Sequence, residues 1–139
     1  MNKIFFHDQL IRFSHCDPAG IVYFPRFFDL AHATMEDWFS TGLSQPLPDL
    51  IRERRIGTPT VSVQCEFAKP LRMGDILRFE LSVSKLGNAS VQLAYCGKKQ
   101  GVEHLRILQT IAFMALESGT ATSIPDDLRP RIEDYLAAQ

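Results

Sequence analysis

The chain is short of paired cysteines, long apolar runs and charge of one sign, and each shortage removes a class of function. Three cysteines, Cys16, Cys65 and Cys96, are an odd number without C-x-x-C spacing. That argues against a disulfide framework and against a structural zinc site. The opening stretch MNKIFFHDQLIRF has a charge on each side of its short apolar pieces. It matches neither a signal-peptide core nor a membrane span, so a cytoplasmic protein with no membrane partner is expected. Fifteen Lys+Arg stand against sixteen Asp+Glu, a formal net charge of -1. No long basic run tracks a phosphate backbone, and nucleic acid is not an expected partner. The G-x-S-x-G elbow, H-E-x-x-H, the Walker glycine loop and G-x-G-x-x-G are all missing, so chemistry by those routes loses support. Internal repeats, low-complexity tracts and long linkers are missing too, which points to one domain over residues 1–139.

What is present is a core and an informative order of elements. With 45% hydrophobic and 22% charged residues, the composition is that of one globular domain. Residues 4–13 alternate as a first strand, with Phe5, His7, Gln9, Ile11 and Phe13 on one face. From Pro25 to about Thr41, apolar residues recur at helical spacing through Phe27, Phe28, Ala31, Met35, Trp38 and Phe39, and Gly42 is the stop signal. After the short charged helical piece LIRERR come four strands. Val61, Val63, Cys65 and Phe67 alternate with polar neighbours, as do Leu77, Phe79, Leu81 and Val83, and both patterns predict half-buried strands. Val91, Leu93 and Tyr95 continue the alternation. The fourth strand, LRILQTIAFMAL, is apolar on both faces and is expected to be covered on both, by another subunit or its sheet. The tail predicts a turn and a short helix. The fold class is therefore α+β, an antiparallel sheet wrapped around one long helix.

Residues 15–25 read HCDPAGIVYFP, and they hold the leading chemical candidate. Asp17, Pro18 and Gly20 suit a turn, where Asp bonds the backbone locally, Pro presets φ and Gly tolerates positive φ. Pro25 suits the first helical position, which makes Phe24 the N-cap and leaves the N–H groups of Phe24, Arg26 and Phe27 without helical partners. Two readings of Asp17 follow. It is a turn aspartate bonded near Gly20, or a carboxylate facing a helix mouth, where it attacks an acyl carbon or deprotonates a water that does. Preorganised N–H donors aimed at a developing oxyanion suit acyl transfer.

Other candidates carry similar pairs of readings. Adjacent residues in an extended segment point to opposite faces, so His15 and Cys16 are not expected to meet as base and nucleophile; Cys16 reads as a buried structural thiol. His32, on the helix side shared by Phe28 and Met35, is a half-buried packing histidine or the polar furnishing of a ligand pocket. Thr58, Pro59 and Thr60 open the second strand, where the hydroxyls satisfy strand-end backbone or contact a ligand. Lys85, Lys98 and Lys99 are solvated charges or cations for a phosphorylated ligand.

HCDPAGIVYFPRFFDLAHATMEDW, GTPTVS and the strand order together resemble the hot-dog fold thioesterases of the 4-hydroxybenzoyl-CoA thioesterase type, over essentially the whole chain. The resemblance implies a homodimer, often paired into a tetramer, with sites at the subunit interface. It implies hydrolysis of an acyl-CoA thioester to a carboxylic acid and free CoA, without metal or organic cofactor. Asp17 matches the catalytic carboxylate of that family, the backbone N–H of Phe24 the donor to the thioester carbonyl, and Thr58, Pro59 and Thr60 the segment lining the substrate and CoA site. Tyr23 and His32, with Phe27, Phe28 and Met35, are expected to shape the acyl pocket. His32 stands where the namesake enzymes carry an acidic residue for the aryl hydroxyl, and KLGNAS leaves Lys85 as the one cation of a turn that is strongly basic in them. A noncatalytic acyl-CoA binding module is the alternative. A hot-dog dehydratase requires a paired His and carboxylate, and none is evident from sequence.

Overall fold

The computed structural model describes residues 2–138; residues 1 and 139, the ends of the single domain expected over 1–139, lie outside the described residues. The main sheet is antiparallel, with spatial order β1-β4-β5-β6-β3. Its strands are β1 (Phe5–Leu10), β3 (Thr60–Phe67), β4 (Ile76–Leu86), β5 (Ser90–Lys99) and β6 (Val102–Ala112). Period-2 patterning explains its inner face: Leu77, Phe79, Leu81 and Val83 of β4 and Val91, Leu93 and Tyr95 of β5 are all buried, as alternation requires when one face meets a core.

The helix α1 (Arg26–Asp37) lies against that face and buries Phe27, Leu30, Ala31, Thr34 and Met35. That i, i+3, i+4, i+7, i+8 set is one apolar stripe. The helix continues into a π turn, Trp38–Gly42, where the Leu43 N–H donates to the Trp38 carbonyl at 2.9 Å. Gly42 owes its identity to close approach: a Cβ there meets Trp38 Cδ1 at 2.7 Å and the Tyr135 hydroxyl at 3.0 Å. The short helix α2 (Leu47–Arg52) follows, and α3 (Arg129–Glu133) precedes a tail whose Tyr135 carbonyl and Ala137 N–H bond Val83 of β4.

Several expectations need correction. The first strand ends at Leu10 rather than at residue 13; a 3-10 turn, Phe13–His15, follows, and Phe13 is 81% exposed. β3 is exposed along almost its whole length, with Val61, Val63 and Phe67 all in solvent. Alternation predicted the pleat correctly, but among the described residues little of this edge strand is covered within one chain. β6 is not apolar on both faces: Leu105, Ile107 and Ile111 point inward with Gln109, while Arg106, Leu108 and Thr110 point outward. A second sheet of two-residue strands, β2 (Ile56–Gly57), β7 (Met114–Ala115) and β8 (Thr120–Ala121), was not foreseen.

Candidate active site

The turn around Asp17 closes a small hairpin. The Asp17 N–H donates to Ile21 O at 3.0 Å and the Tyr23 N–H to His15 O at 2.9 Å, with Cys16 bridged to Val22. Gly20 has φ +81, a left-handed conformation that glycine takes without a Cβ penalty, and its N–H donates to Asp17 O at 2.9 Å. The Val22 N–H reaches Leu71 O at 2.9 Å, tying the second arm to the loop before β4. Within this frame the Ala19 N–H donates to Asp17 Oδ1 at 2.8 Å. The turn reading of Asp17 therefore accounts for one carboxylate oxygen. Oδ2 has no partner among the described residues, and the half-buried side chain borders a hollow of about 400 Å³ with Phe13, Cys16, Gly20 and Met73.

The helix mouth is tighter than the sequence suggested. Arg26 N–H donates to Tyr23 O at 2.8 Å, Phe27 N–H to Phe24 O at 3.1 Å and Phe28 N–H to Pro25 O at 3.1 Å, so the first turn satisfies its own donors by i→i+3 bonds. Arg26 and Phe27 thus drop out as free donors. At this helix mouth Phe24 N–H alone has no acceptor among the described residues, and Pro25 has no N–H to offer. The Phe24 ring stands edge-on to Tyr23 and to Phe67, and Phe67 also packs on Phe27 at 5.5 Å. Phe24, Phe27 and Phe67 border a hollow of about 280 Å³ with Ile21, Lys69 and Pro70. One hairpin carries both groups, but in a single chain Asp17 and Phe24 open onto separate hollows.

His15 and Cys16 both turn to Arg12. The Arg12 N–H donates to His15 Nδ1 at 2.8 Å, and the Cys16 thiol faces Arg12 O at 3.6 Å. Burial, with help from Arg12 and Arg26, lowers the His15 pKa below the ordinary imidazole value, which suits an acceptor nitrogen. Cys16 is half-buried rather than buried. Burial pushes the Cys65 thiol up to about 11.

His32 does not share the core stripe. It is exposed, its Nδ1 3.4 Å from Glu36 Oε2, whereas Met35 is wholly inside the core and lines neither hollow. Met35 marks one edge of the buried stripe of Phe27, Leu30, Ala31, Thr34 and Met35, and His32 lies about 60° further round the helix, where it meets solvent. Tyr23 is 52% exposed beside Phe24. Thr58 is half-buried, Pro59 and Thr60 are exposed, and Pro59 O accepts the Ala112 N–H at 3.0 Å. Lys85 is exposed at a bulge of β4 and makes no ion pair among the described residues, unlike Lys98 and Lys99, which pair with Glu80 and Asp75.

Sequence reading missed two polar groupings. His7 Nδ1 lies 2.9 Å from Thr34 Oγ1 and its Nε2 2.6 Å from Asp37 Oδ2. This is a histidine–carboxylate pair, and it ties β1 to α1. The second joins Tyr95, Gln109 and Thr60: the Tyr95 hydroxyl donates to Gln109 Oε1, and Gln109 Nε2 donates to Thr60 Oγ1 at 2.8 Å.

Relatives point the same way as the geometry. A 1,4-dihydroxy-2-naphthoyl-CoA hydrolase of Thermosynechococcus vestitus (strain NIES-2133 / IAM M-273 / BP-1) is 28% identical over 123 residues, covering 88% of this chain and 84% of that protein. The 4-hydroxybenzoyl-CoA thioesterase of Pseudomonas sp. (strain CBS-3) is 35% identical over 78 residues, 55% of each protein. Among solved structures, a thioesterase superfamily protein from Jannaschia sp. CCS1 is 26% identical and superposes with a TM-score of 0.91, covering 99% of this chain and 96% of that one. The helix-wrapping sheet is the hot-dog fold of these proteins. The model of the thioesterase-like superfamily matches residues 11–132, a span running from the end of β1 through the Asp17 hairpin to α3, and the chain belongs to that superfamily.

Proposed function

We propose that this thioester hydrolase cleaves an acyl-CoA to a carboxylic acid and free CoA, with Asp17 acting on the acyl carbon and the Phe24 N–H donating to the thioester carbonyl oxygen. The observation that carries the reading is the division of labour inside one hairpin. Among the described residues, Asp17 Oδ1 is held by Ala19 while Oδ2 has no partner, and Phe24 is the one spare donor of a helix mouth whose other N–H groups are bonded. As the carbonyl carbon becomes tetrahedral its oxygen gains charge, and a donor already in place costs no reorganisation. Attack by Oδ2 expels the CoA thiolate and leaves a mixed anhydride that water opens; the general-base route delivers water to the same carbon. A thiolate, with an ordinary thiol pKa of about 8.5, leaves without a strong acid beside it. Isotope incorporation into Asp17 during one turnover in labelled water separates the two routes.

A second copy of the chain completes the site in this reading. β3 is an unpaired edge exposing Val61, Val63 and Phe67, the kind of strand that proteins cover or pair. Phe67 belongs both to β3 and to the hollow under Phe24, so pairing two copies along β3 also closes that hollow. The oligomer is a dimer or a tetramer built from it. Thr58, Pro59 and Thr60 line the substrate, Tyr23 and His32 border the acyl group, and the unpaired Lys85 is available to the CoA phosphates. Cytoplasmic location fits three free cysteines; no helix among the described residues is long and apolar enough to cross a membrane.

Free-thiol release from a panel of acyl-CoAs tests the proposal, beginning with aryl esters of the kinds named for its relatives. Binding of those esters without thiol release establishes the noncatalytic module instead.

A further inference from the structure

Tyr95 and Gln109 interrupt an otherwise apolar inner face. Tyr95 is 2% exposed, Gln109 is 7% exposed, and their neighbours on that face are Leu93, Ile107 and Ile111. A buried phenol proton left without an acceptor is costly. The Tyr95 hydroxyl has one partner among the described residues, Gln109. Burial raises the Tyr95 pKa far above the ordinary range, so the proton stays on the phenol. It must be donated to the Gln109 carbonyl oxygen, which fixes the amide: Oε1 faces Tyr95 and Nε2 faces Thr60. Amide orientation follows from the hydrogen-bond network in this way.

The consequence falls on Thr60. A hydroxyl has one proton and two lone pairs, and here a lone pair is taken by Gln109 Nε2 at 2.8 Å. The Thr60 proton has no acceptor among the described residues, and the residue is exposed. Its placement is a product of the backbone. The register moves from Thr60↔Ile111 to Ser62↔Thr110, so one extra residue, Val61, enters β3. Without that bulge, Thr60 would share the face of Ser62 and Gln64 and miss Gln109; bulges re-aim side chains in this manner.

We infer that Tyr95 and Gln109 are positioning residues that compel the Thr60 hydroxyl to donate its proton to a carbonyl oxygen of the bound thioester. The inference rests on the proposed acyl-CoA site. With phenylalanine at position 95 the amide is free to turn over, present Oε1 to Thr60 and absorb that proton. Thr60 then loses its donor function although it is untouched.

The test is a double-mutant cycle on Tyr95→Phe and Thr60→Val, read as kcat and KM for an aryl-CoA ester and as Kd for its non-hydrolysable thioether. Each single variant is expected to lose about tenfold in kcat/KM, the worth of one hydrogen bond. The double variant is expected to lose no more than either single one, and Thr60→Ser to retain wild-type values. A folded Tyr95→Phe variant with wild-type kcat/KM and Kd, or a double variant whose loss is the product of the two, overturns the relay. Should wild type bind the thioether yet release no thiol, the hydrolase reading falls and the relay is judged on Kd alone; failure to bind at all sinks both. If Tyr95→Phe does not fold, wild type still decides: the Gln109 amide protons must show nuclear Overhauser contacts to the Thr60 methyl. Contacts to the Tyr95 ring instead mean the opposite orientation and refute the inference.

Discussion

Val63→Lys tests whether β3 is the contact between two copies. Val63 is 45% exposed in one chain and faces the same side as Gln109 across the β3–β6 register. Burying a whole valine side chain contributes about 1.5 to 3 kcal/mol, so covering its exposed half contributes about 1 kcal/mol per copy. A two-fold contact uses the position twice, giving about 2 kcal/mol, or roughly a 30-fold change in dimer Kd. Lysine adds the cost of desolvating two ammonium groups, which makes that figure a lower bound. Sedimentation velocity across a concentration series measures the Kd, and thiol release is followed in the same samples. Activity should fall with the dimer population, because the hollow under Phe24 loses its cover. A variant that stays dimeric with unchanged Kd refutes the β3 contact. A fully active monomer refutes the shared site.

Two further outcomes are expected. His32 is an exposed imidazole 3.4 Å from Glu36 Oε2 rather than a lone buried carboxylate, so benzoyl-like or medium-chain esters should match or exceed the 4-hydroxybenzoyl ester in kcat/KM; His32→Asp should shift preference toward the hydroxylated ester by about 1 to 3 kcal/mol. An unchanged ratio of the two esters in folded His32→Asp removes His32 from the acyl site. The lowered His15 pKa means that the unfolded chain binds more protons between the folded value and the ordinary 6.5, so stability rises with pH through that window. The contribution is complete above the unfolded value and is lost as pH falls through the folded one. Between pH 7.5 and 5, wild type should lose more of its urea midpoint than His15→Asn, whose amide oxygen keeps the acceptor without titrating; equal losses contradict the role given to the Arg12–His15 bond.

Local chemistry was legible in the sequence and distant pairing was not. The α1 stripe from Phe27 to Met35 and the alternation in β4 and β5 report directly which side meets the core, and the Asp17 turn follows from the preferences of Asp, Pro and Gly. Alternation in β3 reports a pleat but not whether a second layer exists to cover it, and Val61 and Val63 are exposed for that reason. In β6 the outward set of Arg106, Leu108 and Thr110 was hidden by one leucine. The tight first turn of α1 leaves no mark in residue type, so Phe24 had to be separated from Arg26 and Phe27 by its hydrogen bonds. His7 meets Asp37 across 30 residues and Gln109 meets Thr60 across 49; neither pairing has a periodic signature.

Asp17→Asn measures most directly whether Asp17 performs the hydrolysis. Asparagine keeps an oxygen for the Ala19 N–H and so preserves the turn, but it removes the charge on which both attack and base catalysis depend. Thiol release should fall by at least about a hundredfold, with thioether Kd and urea midpoint close to wild type and with Cys16→Ser fully active. An Asp17→Asn protein that hydrolyses at the wild-type rate, or a Cys16→Ser protein that is folded and inactive, contradicts the assignment.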